Sequence, residues 1–324
     1  MNDTEFVRMM ASIIVASAPL IIAVCGETIT ERVGVINLSL DGSMLMSAMT
    51  GFVVGLKTEN VWLGFLAGAI VGMLFAAIIA FSSISLGKSQ VAVGFVLTLL
   101  GDDLSAFLGQ NFTRIPGALI KRAGIPFLED IPLIGPIFFD QDVVVYFSYV
   151  LILVCWWFLY RTQPGLHLRS SGERPDAAFA RGVNVRLVRY LYTLVGGALI
   201  GIAGAAYSLN VKIGWSDGHT RGFGWIALAI VIFGGWSPVR GALGAVLFGA
   251  TKALATVLQR TFPEISVVAF NAIPWLLMIM VLLVVSSDAT ERLIELMPRR
   301  VQPSLRRILR ITAPLALGGN LAEQ

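Results

Sequence analysis

Apolar runs of about twenty residues recur along most of the chain, and they limit its fold more than any other feature, because a helix of that length matches the hydrocarbon thickness of a bilayer. They lie near residues 8–26, 34–55, 61–82, 89–109, 143–160, 189–208, 239–259 and 264–286, with a shorter run over 223–235. The expected fold class is therefore all-α, a polytopic integral membrane helix bundle of about nine transmembrane segments with broken or half-helices. Residues 223–235 are short for a crossing and end at Gly234, Gly235, Trp236, Ser237 and Pro238, a break that suits a half-helix. The first run starts too near the N-terminus for a basic n-region and is followed by no A-x-A pattern, so a removable signal peptide is not expected.

Composition agrees. Only 14% of residues are charged, against about 25% in soluble domains. The net charge of +4 is small and not gathered into a groove, which argues against a disordered chain and against nucleic-acid binding. Cys25 and Cys155 sit inside apolar runs, and His167 and His219 have no ligand neighbours at metal spacing, so neither a disulfide framework nor a metal centre is expected.

Orientation follows from Lys and Arg in the connections. With 161–189 cytoplasmic, fifteen of the 24 Lys and Arg fall inside and eight outside, Lys252 lying within a segment. That places the N-terminus outside and the C-terminus in the cytoplasm. The division is a membrane domain over 1–286, with a cytoplasmic loop at 161–189, and a basic tail over 287–324. In the tail, Arg306, Arg307 and Arg310 alternate with Leu305, Ile308, Leu309 and Ile311, a pattern suited either to anionic lipid or to plain solvation.

Gly87-Lys88-Ser89 resembles the end of a phosphate loop, but Ser82 stands where the first glycine is needed and no strand precedes it, so nucleotide binding is not expected. Asn37 and Asp41 share a face if helical; Asp41 then either faces a cavity or sits at a helix start, stabilised by the dipole. Gln90, Gly94, Thr98 and Asp102 follow the same four-residue spacing, which lines a pathway or packs helices. Gly197 with Gly201, and Ala245 with Gly249, have the small-xxx-small spacing of close helix packing. Lys252 either pairs with Asp41 or Asp102 or snorkels to the outer interface.

The most specific stretch is the loop 161–189. Pro175 suits a first helical turn, Asp176 complements the dipole there and Gly182 suits the stop, so a two-turn helix is expected on the membrane face. A helix so short is marginal in water and needs something to dock against, either a partner or its own chain.

This loop resembles the coupling segment of ABC-importer permeases, in the branch that carries nucleosides and simple sugars and is similar to branched-chain amino acid and ribose permeases. The early run from Gly26 to Gly42 and the late run from Gly222 through Pro238 to Gly241 resemble the same branch. The branch usually has Glu where Asp41 stands and Asn where Thr98 stands. The resemblance implies a permease subunit in a prokaryotic plasma membrane, importing a small polar solute. Its implied partners are a second permease, homologous or identical, two cytoplasmic ATPase subunits that use the ATP, and an extracytoplasmic substrate-binding protein. No cofactor is implied in this chain, and no enzyme activity. Coupling would fall to Glu173, Arg174, Pro175, Asp176, Ala177, Ala178 and Gly182, with Ala177 and Ala178 as the contact face and Glu173 bonded to a basic residue of the ATPase. The expected substrate pathway is Asn37, Asp41, Gln90, Thr98 and Asp102. An ion-coupled secondary transporter would use the same carboxylates but does not explain the helix in the loop.

Overall fold

The structure, a computed structural model, describes residues 3–118, 120–262, 264–286 and 313–319. Among these residues the elements are helical: α1 (Asp3–Arg32), α2 (Leu40–Thr58), α3 (Val61–Ala80), α4 (Gln90–Gly109), α5 (Val143–Arg161), α6 (Gln163–Glu173), α7 (Pro175–Ala180), α8 (Val185–Ala206), α9 (Phe223–Phe233), α10 (Pro238–Thr261) and α11 (Val267–Ser286). Among the described residues, six stretches are long and apolar enough to cross a membrane: Glu5–Arg32, Val61–Ser85, Gln90–Phe112, Val143–Arg161, Val185–Val211 and Pro238–Gln259. α9 is a half-length helix, as the break at Gly234–Ser237 suggested. Arg306, Arg307 and Arg310 lie outside the described residues.

The first two helices depart from the expected boundaries. α1 runs to Arg32, and α2 starts only at Leu40. Gly34 adopts φ +95° after its N–H bonds to the Glu31 carbonyl, which ends α1. Asn37 Oδ1 then accepts from the Ser39 N–H and hydroxyl, an Asx turn that keeps the backbone out of the helix. Asn37 therefore lies in an irregular break and does not share a helical face with Asp41.

Helix α1 is the spine. It packs on α8, α10, α5 and α9, and its run from Ile22 to Cys25 is fully buried. The α3–α8 seam is built from glycines: a Cβ on Gly197 would lie 2.6 Å from the Gly72 carbonyl, so only hydrogen there allows the backbones to meet. Gly249 makes a similar approach to Ser17 of α1. The outer surface is inverted relative to a soluble protein, with Val96, Leu153 and Leu243 each about two-thirds exposed on the faces that lipid would cover.

Candidate functional site

The N-terminal ends of α2 and α9 meet at Asp41, which sits in the first turn of α2 and is 4% exposed. Its carboxylate accepts the N–H of Gly222 at 2.8 Å and of Gly224 at 2.9 Å, capping α9 from a different helix. Gly222 is left-handed at φ +88°, and a Cβ on Gly224 would overlap the Asp41 backbone. Asp41 therefore sits at a helix start, where it serves two helix termini at once.

The remaining expected pathway residues are likewise bonded inside the protein. Gln90 Oε1 accepts from the Ile36 N–H at 2.7 Å, and the Thr98 hydroxyl donates to the Leu38 carbonyl at 2.7 Å, so both pin α4 onto the break between α1 and α2. Gly94 packs on Leu38 between them. Asp102 is held by Arg221 at 2.8 Å, which keeps that guanidinium protonated beyond its ordinary range. The stripe on α4 packs it onto the break after α1, and none of these residues lines the cavity described next, although Arg221, the partner of Asp102, does. Gly87, at φ +60°, and Ser89, which caps α4 through the Ala92 N–H, account for the phosphate-loop resemblance as a helix start.

A cavity of about 510 Å³ opens between α1, the turn and loop that follow α8, α9, α10 and α11. Tyr207, Phe223 and Trp275 supply aromatic walls, and Lys212, His219, Arg221 and Lys252 supply donors. Tyr207 begins a π-helical turn, Tyr207–Val211, at the end of α8. Its ring stacks on His219 at 5.4 Å and meets Phe223 at 4.6 Å. Lys252 Nζ donates to the Tyr207 hydroxyl at 3.0 Å and lies 4.0 Å over the Phe223 ring. Lys252 therefore pairs with neither Asp41 nor Asp102 and does not snorkel; it faces the cavity. His219 contacts the Ser208 hydroxyl through Nε2 at 3.0 Å and the Ser216 carbonyl through Nδ1 at 2.7 Å. Burial holds its imidazole below the usual pKa, against the Ser216 contact that raises it, and the positive charges of Lys212 and Lys252 add to the lowering.

Sequence reading missed this cavity because its members, apart from Lys252, are ordinary residues in five separate stretches. Ser12, Ala16 and Leu20 bring α1 to its wall. Ser12 stands about 30 Å along α1 from Arg32, so the cavity occupies the opposite end of the molecule from α6 and α7.

At the Arg32 end, α7 forms as expected: Pro175 enters its first turn, Asp176 follows, and Gly182 takes φ +84° with open space around it. Ala178 is 4% exposed but borders the same groove as Ala177, while Ala177 and Phe179 are exposed. Glu173 closes α6, also borders the groove with its side chain 42% exposed, and faces Arg32 of this chain, Nη1 to Oε1 at 3.8 Å. Arg32 also donates to the Trp236 carbonyl at 3.0 Å, and the Trp236 indole N–H donates to Glu31. The end of α6, the end of α1 and the break between α9 and α10 thus form one polar cluster. Arg174 and Arg181 line a groove beside it with Ala177.

Residues 9–285 match the sequence profile described as branched-chain amino acid transport system / permease component. Among curated proteins, a putative glucose ABC transporter permease, TsgC13 of Haloferax volcanii, is 43% identical over 244 residues, 74% of each chain. The nucleoside ABC transporter permease NupC of Lactococcus lactis is 35% identical, covering 77% of this chain and 82% of its own. The guanosine ABC transporter permease NupQ of Bacillus subtilis is 34% identical, covering 83% and 89%.

Proposed function

This chain belongs to the branched-chain amino acid transport system / permease component family as a permease subunit of an ABC importer, and from that premise we propose that it carries a nucleoside through the cavity at Tyr207. The observation that carries the cargo reading is the aromatic wall of Tyr207, Phe223 and Trp275 beside the Lys252 ammonium. A nucleobase offers a flat π-face to the rings and ring-nitrogen or carbonyl acceptors to the lysine. A simple sugar is another cargo named among the relatives, and its apolar face would use the same rings.

In this reading the permease works with a second permease, two cytoplasmic ATPase subunits and an extracytoplasmic binding protein, and ATP turnover belongs to the ATPases. The α7 helix and the groove with Arg174 and Arg181 dock the ATPase, with Pro175, Asp176 and Gly182 setting the helix ends. The chain lies in a prokaryotic plasma membrane with its N-terminus outside and its C-terminus in the cytoplasm, and α2, α9 and α11 complete nine segments. The count of Lys and Arg supports this layout. Packing of residues 313–319 at the Arg32 end puts them on the same face as α6 and α7, which agrees with it. The secondary-transporter reading is not favoured: the relatives are named as ABC permeases, and Asp41 and Asp102 are occupied by helix N–H groups and Arg221.

Uptake of radiolabelled guanosine by cells carrying the complete importer tests the proposal, with unlabelled nucleosides and glucose as competitors. Nucleosides should compete and glucose should not, and ATP depletion should stop uptake where an uncoupler with ATP maintained does not. Lys252→Met should raise KM about tenfold, the equivalent of losing one hydrogen bond from a charged donor. No guanosine uptake together with uptake of labelled glucose by the same importer would replace the nucleoside with a sugar, and sensitivity to the uncoupler alone would remove the ATP-driven reading.

A further inference from the structure

The family match ends at residue 285, yet residues 313–319 are folded onto the face that carries α6 and α7. The Ala316 N–H donates to the Gly172 carbonyl at 2.9 Å and the Gly318 N–H to the Gly34 carbonyl at 3.2 Å, so the segment bridges α6 and the break after α1. The Leu315 N–H reaches Glu173 at 3.4 Å. Arg189, itself 1% exposed, donates to the Gly319 carbonyl at 3.4 Å and to the Ser171 carbonyl at 3.3 Å. A buried guanidinium needs such acceptors, and the segment supplies one of them. Ala316 is 5% exposed, and Gly318 turns at φ +75° against the Ile36 side chain. Residues 313–319 are therefore a built part of this face.

Leu315 behaves differently from Ala316. It is 75% exposed, and it lines the groove of about 590 Å³ together with Leu166, His167, Ala177 and Arg181. Phe179 on α7 is also 75% exposed. None of the described residues covers these two large apolar side chains, which stand at the end of the bundle that carries the polar loop, where a docking partner would cover them. We propose that the ATPase-docking surface of this permease is composite, the segment 313–319 forming one rim of the groove and Leu315 serving as an apolar anchor that the ATPase subunit covers. Continuity of Leu315 with the α6–α7 groove selects the ATPase as the occupant, so the inference rests on the reading that α7 docks it.

The test uses the complete importer with full-length permease, comparing Leu315→Asp, Leu315→Met and Phe179→Asp for ATPase recovered by co-purification and for melting temperature. Leu315→Asp should reduce recovered ATPase about fivefold at an unchanged melting temperature, the scale of a lost anchor contact, whereas Leu315→Met should keep it. If Phe179→Asp loses the ATPase and Leu315→Asp retains it, the composite surface is wrong and the α7 reading stands. Retention in both variants removes the α7 reading and the inference with it. A melting temperature that falls in step with ATPase recovery in Leu315→Asp also overturns the proposal, because it assigns Leu315 to the permease's own packing.

Discussion

Arg32 and Glu173 face each other at 3.8 Å across the junction of α1 and α6, and the same guanidinium donates to the Trp236 carbonyl in the break between α9 and α10. Arg32 therefore joins the loop that carries α7 to the half-helix α9, whose other end lies on Asp41 and whose Phe223 lines the cavity. A displacement of α6 would reach α9 through this guanidinium's long ion pair, worth about 0–1 kcal/mol where Glu173 is part-exposed, and its hydrogen bond to Trp236, about 1.5–3 kcal/mol.

Arg32→Gln should leave the permease inserted and bound to its ATPase while reducing the stimulation of ATP turnover by loaded binding protein. Glutamine still reaches one acceptor but has no charge for Glu173. ATPase activity in proteoliposomes, with and without cargo, measures the effect, and undiminished stimulation would remove Arg32 from the route.

Asp41→Ala removes the acceptor that the Gly222 and Gly224 N–H groups have among the described residues and should lower stability by about 2–5 kcal/mol, the cost of two buried donors left unmet. Asp41→Asn keeps the oxygen that accepts both N–H groups and should fold with a smaller loss of stability than Asp41→Ala and near-normal transport, because only the charge that stabilised two helix N-termini is gone. Melting curves and uptake on the same preparations separate the two variants. Equal melting temperatures for Asp41→Ala and wild type would show that water replaces the carboxylate.

The lowered pKa of His219 fixes the sign of a pH effect. The folded protein favours the neutral imidazole, so the contribution is complete above the unfolded pKa of about 6.5 and is lost as pH falls through the folded value. Wild type should lose melting temperature below pH 6.5 more steeply than His219→Gln, which has no proton to gain. Parallel curves would show that His219 plays no part.

Ala177→Trp and Ala178→Trp should differ although they are neighbours. Ala178 is buried, so the larger side chain overpacks the junction of α7 with its own chain and should cost about 1–3 kcal/mol of stability. Ala177 is exposed in the groove, so tryptophan there should leave the melting temperature unchanged and block the ATPase. Loss of ATPase association by Ala178→Trp at full stability would contradict this division.

Legibility in the sequence followed the range of the interaction. The ends of α7 were readable because Pro175, Asp176 and Gly182 act within a turn of themselves. The close seam at Gly197 and Gly201 was readable because its spacing repeats along a single helix. The α1 boundary was misplaced because Glu27, Thr28, Thr30 and Glu31 interrupt the apolar run, although all four are buried in the helix.

The sequence by itself determined that this chain is a helical membrane protein, where its half-helix breaks, and that it carries a capped helix in a polar loop, because apolar length and capping are properties of consecutive residues. Only the tertiary structure decided what the charged residues do. Asp41 finds its N–H partners 181 and 183 positions away, Arg32 its carbonyl 204 positions away and Lys252 its tyrosine 45 positions away. No local spacing encodes such pairs; they exist because helix packing brings the ends of α1, α2, α6, α9 and α10 to common depths, where a charge must meet whichever polar group the fold has placed beside it.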